Sequence, residues 1–438
     1  MKPLSLLALF ALAVSACAQS TEPLPRKPFF GVGMAVDVKG VKLTAVTPGT
    51  TAAEAGLKPD DIVVSIDGVP TPDPQSVGKA ASQWKTGSKT KIEFIRGGST
   101  QQAEATVRSR PADKGDNYET IYDEVKSKGN RIRIFVTKPT TPGKHPALFF
   151  IQGIGYVSNE QPLSGQSSYA KICKAFNDKG YVTVRVEKPG LGDSDGGPFD
   201  KVDWYTELDA FRQALIKTKT YDFVDPNKVV IFGHSMGGCQ GPILASEIPI
   251  KGLAVYGTVI RTWHEYMVDM MRSQAALGGQ DASALDEVAR NTVAALHLIF
   301  NEGLSVADAK AKNPKWAAAI DALVPDGEHF SGIGMNFWRG CFAENYAKYW
   351  EKLDTNVLSI YGAADFVAEQ IDHPMIAEVV NKKHPGRAKF ITIPNSDHGF
   401  RNVASLKESL DTWRTPGKPF NPAIIDVLLA WADEAIAK

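Results

Sequence analysis

Lys228-Val229-Val230-Ile231-Phe232-Gly233-His234-Ser235-Met236-Gly237-Gly238 is the stretch on which the reading of this chain turns. After Lys228 the run is apolar and mostly β-branched, which predicts a buried strand, and residues 238–246 can continue as a helix. Between strand and helix stands a serine with glycine two residues away on either side. So sharp a reversal thrusts the serine outward, and only small neighbours avoid a clash there. Ser235 is therefore the candidate nucleophile. The amide of Met236, at the positive end of the following helix, is the first candidate donor to an oxyanion.

The same pattern recurs at Gly192-Asp193-Ser194-Asp195-Gly196. Two aspartates beside a developing oxyanion oppose it, and Gly196-Gly197-Pro198 cannot continue at once as a helix. Ser194 is thus read as part of a loop after a sheet strand. The glycines around it do not form a dinucleotide site either, since GxGxxG is absent.

A serine hydroxyl needs a base, and the base needs a carboxylate to hold its second nitrogen. Among eight histidines, His398 follows a strand (residues 389–393) in the short loop Pro394-Asn395-Ser396-Asp397-His398-Gly399-Phe400. His234 borders the serine and reads as a packing or hydrogen-bonding residue. Asp365 lies just past the strand at 357–361, at the same sheet end; Asp397 is the rival, disfavoured because a residue adjacent to the histidine rarely turns back to its ring. Long strands alternate with helices from about residue 113 onward, which argues a mostly parallel sheet covered on both faces. Residues 258–354 are too long for a structureless loop and rich in helix formers, so a helical cap is expected there.

In these features, and in the order Ser, Asp, His, residues 117–438 resemble the α/β-hydrolase superfamily. The resemblance implies a doubly wound sheet with a second oxyanion amide in the loop after residues 146–151, Gln152-Gly153-Ile154-Gly155, with Ile154 preferred to Gly155. Where relatives commonly read His-Gly-x-Gly, glutamine stands first, a change that spares the backbone donor. The expected activity is hydrolysis of carboxylic esters through an acyl-enzyme, with no metal and no cofactor. Trp263, Tyr266, Phe337 and Trp338 are candidates either for the acyl pocket or for the core of the cap. The elbow also resembles prolyl-oligopeptidase-type and iminopeptidase-type domains, so a serine peptidase acting on small peptides is the alternative.

Ahead of this unit, residues 29–111 alternate strand and turn signals with two short helices. Phe30-Gly31-Val32-Gly33-Met34, Pro48-Gly49 and Ala55-Gly56-Leu57-Lys58-Pro59-Asp60-Asp61 resemble a bacterial PDZ domain. That resemblance implies a peptide C-terminal carboxylate bound by the amides of Phe30, Gly31, Val32 and Gly33. It leaves open a PDZ unit that only spaces the enzyme, and a scaffold in which the hydrolase is a relic.

Residues 1–18 read as an export signal: Lys2, then an apolar stretch at 4–14 too short to span a bilayer. Val14-Ser15-Ala16-Cys17 resembles a lipobox, making Cys17 a lipidation site and the product a periplasmic or cell-envelope lipoprotein. Cleavage after Ala18, giving a soluble secreted protein, is the alternative; residues 19–28 form a linker. A membrane is a partner only through that anchor. Lysine plus arginine balance aspartate plus glutamate at 49 each, so no net field gathers nucleic acid. Cys173, Cys239 and Cys341 remain, outside any metal-ligand spacing, and read as buried small hydrophobes.

Overall fold

The computed structural model describes residues 22–438, so the expected export signal at 1–18, with Cys17, lies outside the described residues. The N-terminal unit runs β1 Val32–Asp37, β2 Gly40–Val46, α1 Thr51–Glu54, β3 Ile62–Ile66, β4 Val69–Pro70, α2 Pro74–Ala81, β5 Lys89–Arg96 and β6 Ser99–Thr106. Its antiparallel strands pair in the order β1-β2-β3-β5-β6, with β4 on β3. Alternate residues such as Val41, Leu43, Ile92 and Phe94 turn inward to one core. α2 starts with a reciprocal cap: Asp73 accepts from Ser76 N, and Ser76 Oγ accepts from Asp73 N. It ends at Ala81. The edge strand β1 presents Met34 and Val36 to solvent.

The C-terminal unit follows as β7 Lys114–Gly115, β8 Tyr118–Ser127, β9 Asn130–Pro139, β10 His145–Ile151, α3 Ser168–Asp178, β11 Val182–Val186, α4 Trp204–Thr218, β12 Val224–His234, α5 Met236–Glu247 and β13 Gly252–Tyr256. The cap interposes α6 Trp263–Leu277, α7 Ala282–Leu296, α8 Val306–Lys312, α9 Ala317–Leu323, the hairpin β14 His329–Phe330 with β15 Ile333–Gly334, α10 Met335–Ala343 and α11 Ala347–Trp350. The sheet then closes with β16 Asn356–Gly362, α12 Asp372–Lys383, β17 Ala388–Ile393, α13 Leu406–Thr412 and α14 Ala423–Ala437.

Nine strands lie in the order β17-β16-β13-β12-β10-β11-β9-β8-β7. Pairing is parallel from β17 to β11 and antiparallel beyond. Helices on both faces explain the apolar runs: Val229, Val230, Ile231 and Phe232 are wholly buried. One core joins the sheet to α4, α5, α12 and the cap, and the other joins it to α3 and α14. The chain passes from β10 to β11 on one side and returns to β12 on the other. Loops diverge at such a reversal, which opens a crevice beyond the C-terminal strand ends. The 152–155 loop and the Ser235 elbow leave the sheet at this point.

Of the two roles weighed for the cap aromatics, the structure assigns the core. Trp263, Tyr266, Phe337 and Trp338 are all buried, with the Trp263 ring 5.0 Å from Tyr266 and 5.2 Å from Trp338. Cys173, Cys239 and Cys341 are buried free thiols. Among the described residues no helix is long and apolar enough to cross a membrane.

Candidate active site

β12 ends on His234, and Ser235 turns the chain with φ of 54°, a left-handed conformation that costs a residue with a side chain energy. The glycines permit this turn. A side chain at Gly233 would run into the Gly237 carbonyl, and one at Gly237 into that of Ile151. The Ser235 amide donates to Tyr256 O at 2.9 Å, tying the elbow to β13. Its hydroxyl neither caps α5 nor makes another hydrogen bond among the described residues. Met236 is the first residue of α5, and its N–H has no acceptor one turn back.

β16 and β17 deliver the partners from the neighbouring strand ends. His398 Nδ1 donates to Asp365 Oδ2 at 2.9 Å, the one hydrogen bond of that ring among the described residues, so Nε2 is free to accept. The other oxygen of Asp365 accepts from the amides of Val367 and Ala368, each at 2.9 Å. Complete burial opposes ionisation of this carboxyl. The charge and hydrogen bond of His398 and the two amides outweigh it and hold the group below its usual range. Gly257, which follows β13, makes room for the pair: a side chain there would press on Asp365 Oδ2 and His398 Nδ1.

Asp397 is committed elsewhere, to Arg401 Nε at 2.6 Å and to the amides of Gly399 and Arg401. His234 also has the supporting place expected of it. Its Nε2 donates to His398 O at 2.8 Å, and its Nδ1 accepts from the Tyr169 hydroxyl at 2.7 Å. Burial first, and the nearby His398 second, push its pKa down to about 3. The unfolded chain takes up this proton near pH 6.5 and the folded chain only near 3. Stability tied to His234 is therefore present above pH 6.5 and lost as pH falls toward 3, by about 5 kcal/mol in all. Acid unfolding curves should show it: the deficit of His234→Gln relative to the parent is expected to shrink as pH drops from 7 to 4, whereas a constant deficit would contradict the neutral buried imidazole.

Ser194 is committed elsewhere, against β9. It is buried, and its Oγ accepts from Arg133 N. Asp193 receives Arg133 at 3.1 Å, Arg26 at 3.3 Å and the Lys27 amide at 2.8 Å. Glu160 takes Arg26 at 2.6 Å and Arg110 at 3.5 Å. The second serine motif thus anchors the segment that leads into the N-terminal unit. In that unit, Gly31 has φ of 81° and packs against Thr50, while the Thr47 amide donates to Gly31 O. Phe30 is buried, and Val32 and Gly33 open the edge strand β1, so the expected carboxylate loop sits beside a free sheet edge.

A cavity of about 410 Å³ opens beside the elbow. Ile154, Val157, Tyr169 and Phe400 give it an apolar wall, Gln161 and Ser167 add polar groups, and among the described residues no charged side chain lines it. Gly153 borders both this space and the nucleophile candidate: a Cβ on it would lie 3.0 Å from Ser235 Cβ. A free hydroxyl on a strained turn, an imidazole whose acceptor nitrogen is open, and backbone amides nearby can together attack a carbonyl and stabilise the charge that results.

Comparison with known proteins agrees with this architecture. Residues 28–107 match the PDZ domain family, and residues 155–407, over half of the chain, match the Alpha/beta hydrolase family. The quorum-quenching protein AidA of Acinetobacter baumannii is 28% identical over 120 residues, 27% of this chain and 36% of that protein. A multifunctional-autoprocessing repeats-in-toxin protein of Vibrio vulnificus is 31% identical over 120 residues, 27% of this chain and 2% of its own length. The chain thus spans little more than a third of the first relative and far less of the second. Among solved structures, Est1E from Butyrivibrio proteoclasticus with ferulic acid bound is 19% identical and has a TM-score of 0.46, covering 72% of this chain and 99% of that one. By its matched residues and its nine-stranded sheet, this chain belongs to the alpha/beta hydrolase family and carries a PDZ domain ahead of the hydrolase domain.

Proposed function

We propose that the hydrolase domain cleaves neutral carboxylic esters, with Ser235 as nucleophile, His398 as general base and acid, and Asp365 as the group that orients and charge-balances the imidazole. The observation that carries the proposal is the His398–Asp365 bond, which leaves Nε2 open at the sheet end where Ser235 stands free. Ser235 Oγ attacks the carbonyl carbon as His398 Nε2 takes its proton. The oxyanion forms against the amides of Met236 and Ile154. Collapse expels the alcohol, protonated by His398, and leaves an acyl-enzyme; water, activated by the same nitrogen, then releases the acid. Serine–histidine contacts commonly tighten only when substrate binds, which fits a hydroxyl that is unbonded in the free protein.

The cavity favours esters over aminopeptidase substrates. An aminopeptidase must hold a substrate ammonium, and a buried cation needs a carboxylate partner. Among the described residues no Asp or Glu lines this space. In the PDZ domain, the free edge of β1 favours a second, separate role, the addition of an extended peptide as a further strand. Steady-state assays with p-nitrophenyl esters of rising acyl length, run beside aminoacyl p-nitroanilides, test the main reading. Turnover of uncharged esters without measurable anilide cleavage is expected. Preferential anilide cleavage would replace the esterase assignment with a peptidase.

A further inference from the structure

Two residues beyond β11, Lys188 has a side chain with no solvent exposure. An ammonium taken fully out of water is costly unless closely paired. Its Nζ lies 3.3 Å from Glu207 Oε1 on α4 and donates to Gly153 O at 2.9 Å. The same Glu207 oxygen accepts from Gln240 Nε2 at 3.0 Å. Gln240 stands four residues after Met236, one turn along α5. An unbroken buried chain therefore runs from α5 through Gln240, Glu207 and Lys188 to the loop after β10. Glu207 Oε2, by contrast, has no partner among the described residues. A buried pair left half satisfied is a poor source of stability, which points to geometry as the reason for it.

The geometry lies in one peptide plane. The Gly153 carbonyl and the Ile154 N–H belong to a single planar trans unit and point in opposite directions. A cation fixed on the carbonyl therefore fixes the amide on the far side. We propose that Lys188 is a positioning residue that aims the Ile154 amide into the oxyanion site and, through Glu207 and Gln240, sets its separation from the Met236 amide. The inference rests on the Ser235 ester-hydrolase reading above.

The double variant K188M/E207Q removes both charges together and keeps an acceptor for Gln240, so the core stays neutral. It is expected to fold with a melting temperature near that of the parent and to titrate fully with a fluorophosphonate, because Ser235, His398 and Asp365 are untouched. Its kcat for esters should fall about a hundredfold with KM little changed, the scale of losing one oxyanion donor. The Ki of an aliphatic trifluoromethyl ketone, whose adduct carries an oxyanion, should rise by the same factor. A second variant, Q240L, leaves the ion pair whole and should lose less kcat, again with Ki in step. Wild-type kcat per titrated site in folded K188M/E207Q, or a Ki that does not follow kcat in either variant, would overturn the inference. Hydrolysis that persists in Ser235→Ala would instead remove the reading beneath it.

Discussion

Ser235→Ala is expected to fold as the parent does and to hydrolyse esters about a millionfold more slowly, the scale set by loss of the nucleophile in other serine hydrolases. The fold should tolerate the change because the serine hydroxyl caps nothing, while the strained backbone at φ of 54° treats alanine and serine alike. The elbow remains tied to β13 through the Ser235 amide, a backbone contact that the substitution leaves in place. The loss should therefore appear in kcat with the melting temperature unchanged. Oxyanion amides and substrate binding would still give some acceleration over water, so a small residual rate is expected. Full activity in this variant would end the assignment.

Asp365→Asn carries the second large effect, a loss of about ten-thousandfold in kcat. Its cause can be followed atom by atom. The Val367 and Ala368 amides both donate to Asp365 Oδ1, so an asparagine there would turn its carbonyl oxygen toward them. Its NH₂ would then face His398 Nδ1, which now donates to a carboxylate. Two donors cannot share that contact, so the imidazole would move its proton to Nε2. It could then no longer accept a proton from Ser235. Kinetics should show the loss in kcat, and NMR of the imidazole should show the exchanged tautomer. A mutant within tenfold of the parent would mean that Asp365 does not orient the base.

The elbow was legible in the sequence because its physics is local. A β-branched run, two glycines with no room for side chains and a helix start all fall within residues 228–246. Local charge likewise separated the two serine motifs: Asp193, awkward beside an oxyanion, instead binds Arg26 and Arg133. Asp365 and His398 could be chosen because each follows a strand at the same sheet end, although sequence cannot say that the two rise close enough to bond. The supporting shell was hidden for that reason. Gly257 matters only because Asp365 and His398 come against it, and His234 finds Tyr169 across the sheet end.

Lengths and less patterned helices were also harder to read. β12 begins at Val224, ahead of the expected 228, and accommodates Pro226 where its register against β10 shifts. α12 carries Pro374 in its first turn, where a missing N–H costs nothing, so its proline gives no warning against a helix. In the cap, aromatic spacing signals burial without saying whether a ring faces a ligand or another ring. Trp263 and Trp338 pack edge to face against each other.

Covalent labelling identifies the nucleophile directly. The parent protein, Ser235→Ala and Ser194→Ala would each be treated with a fluorophosphonate, weighed intact and mapped by peptide mass spectrometry. One phosphonyl group on Ser235 in the parent and in Ser194→Ala, and none in Ser235→Ala, is the predicted result. A group carried by Ser194, or one retained in Ser235→Ala, would place the nucleophile elsewhere.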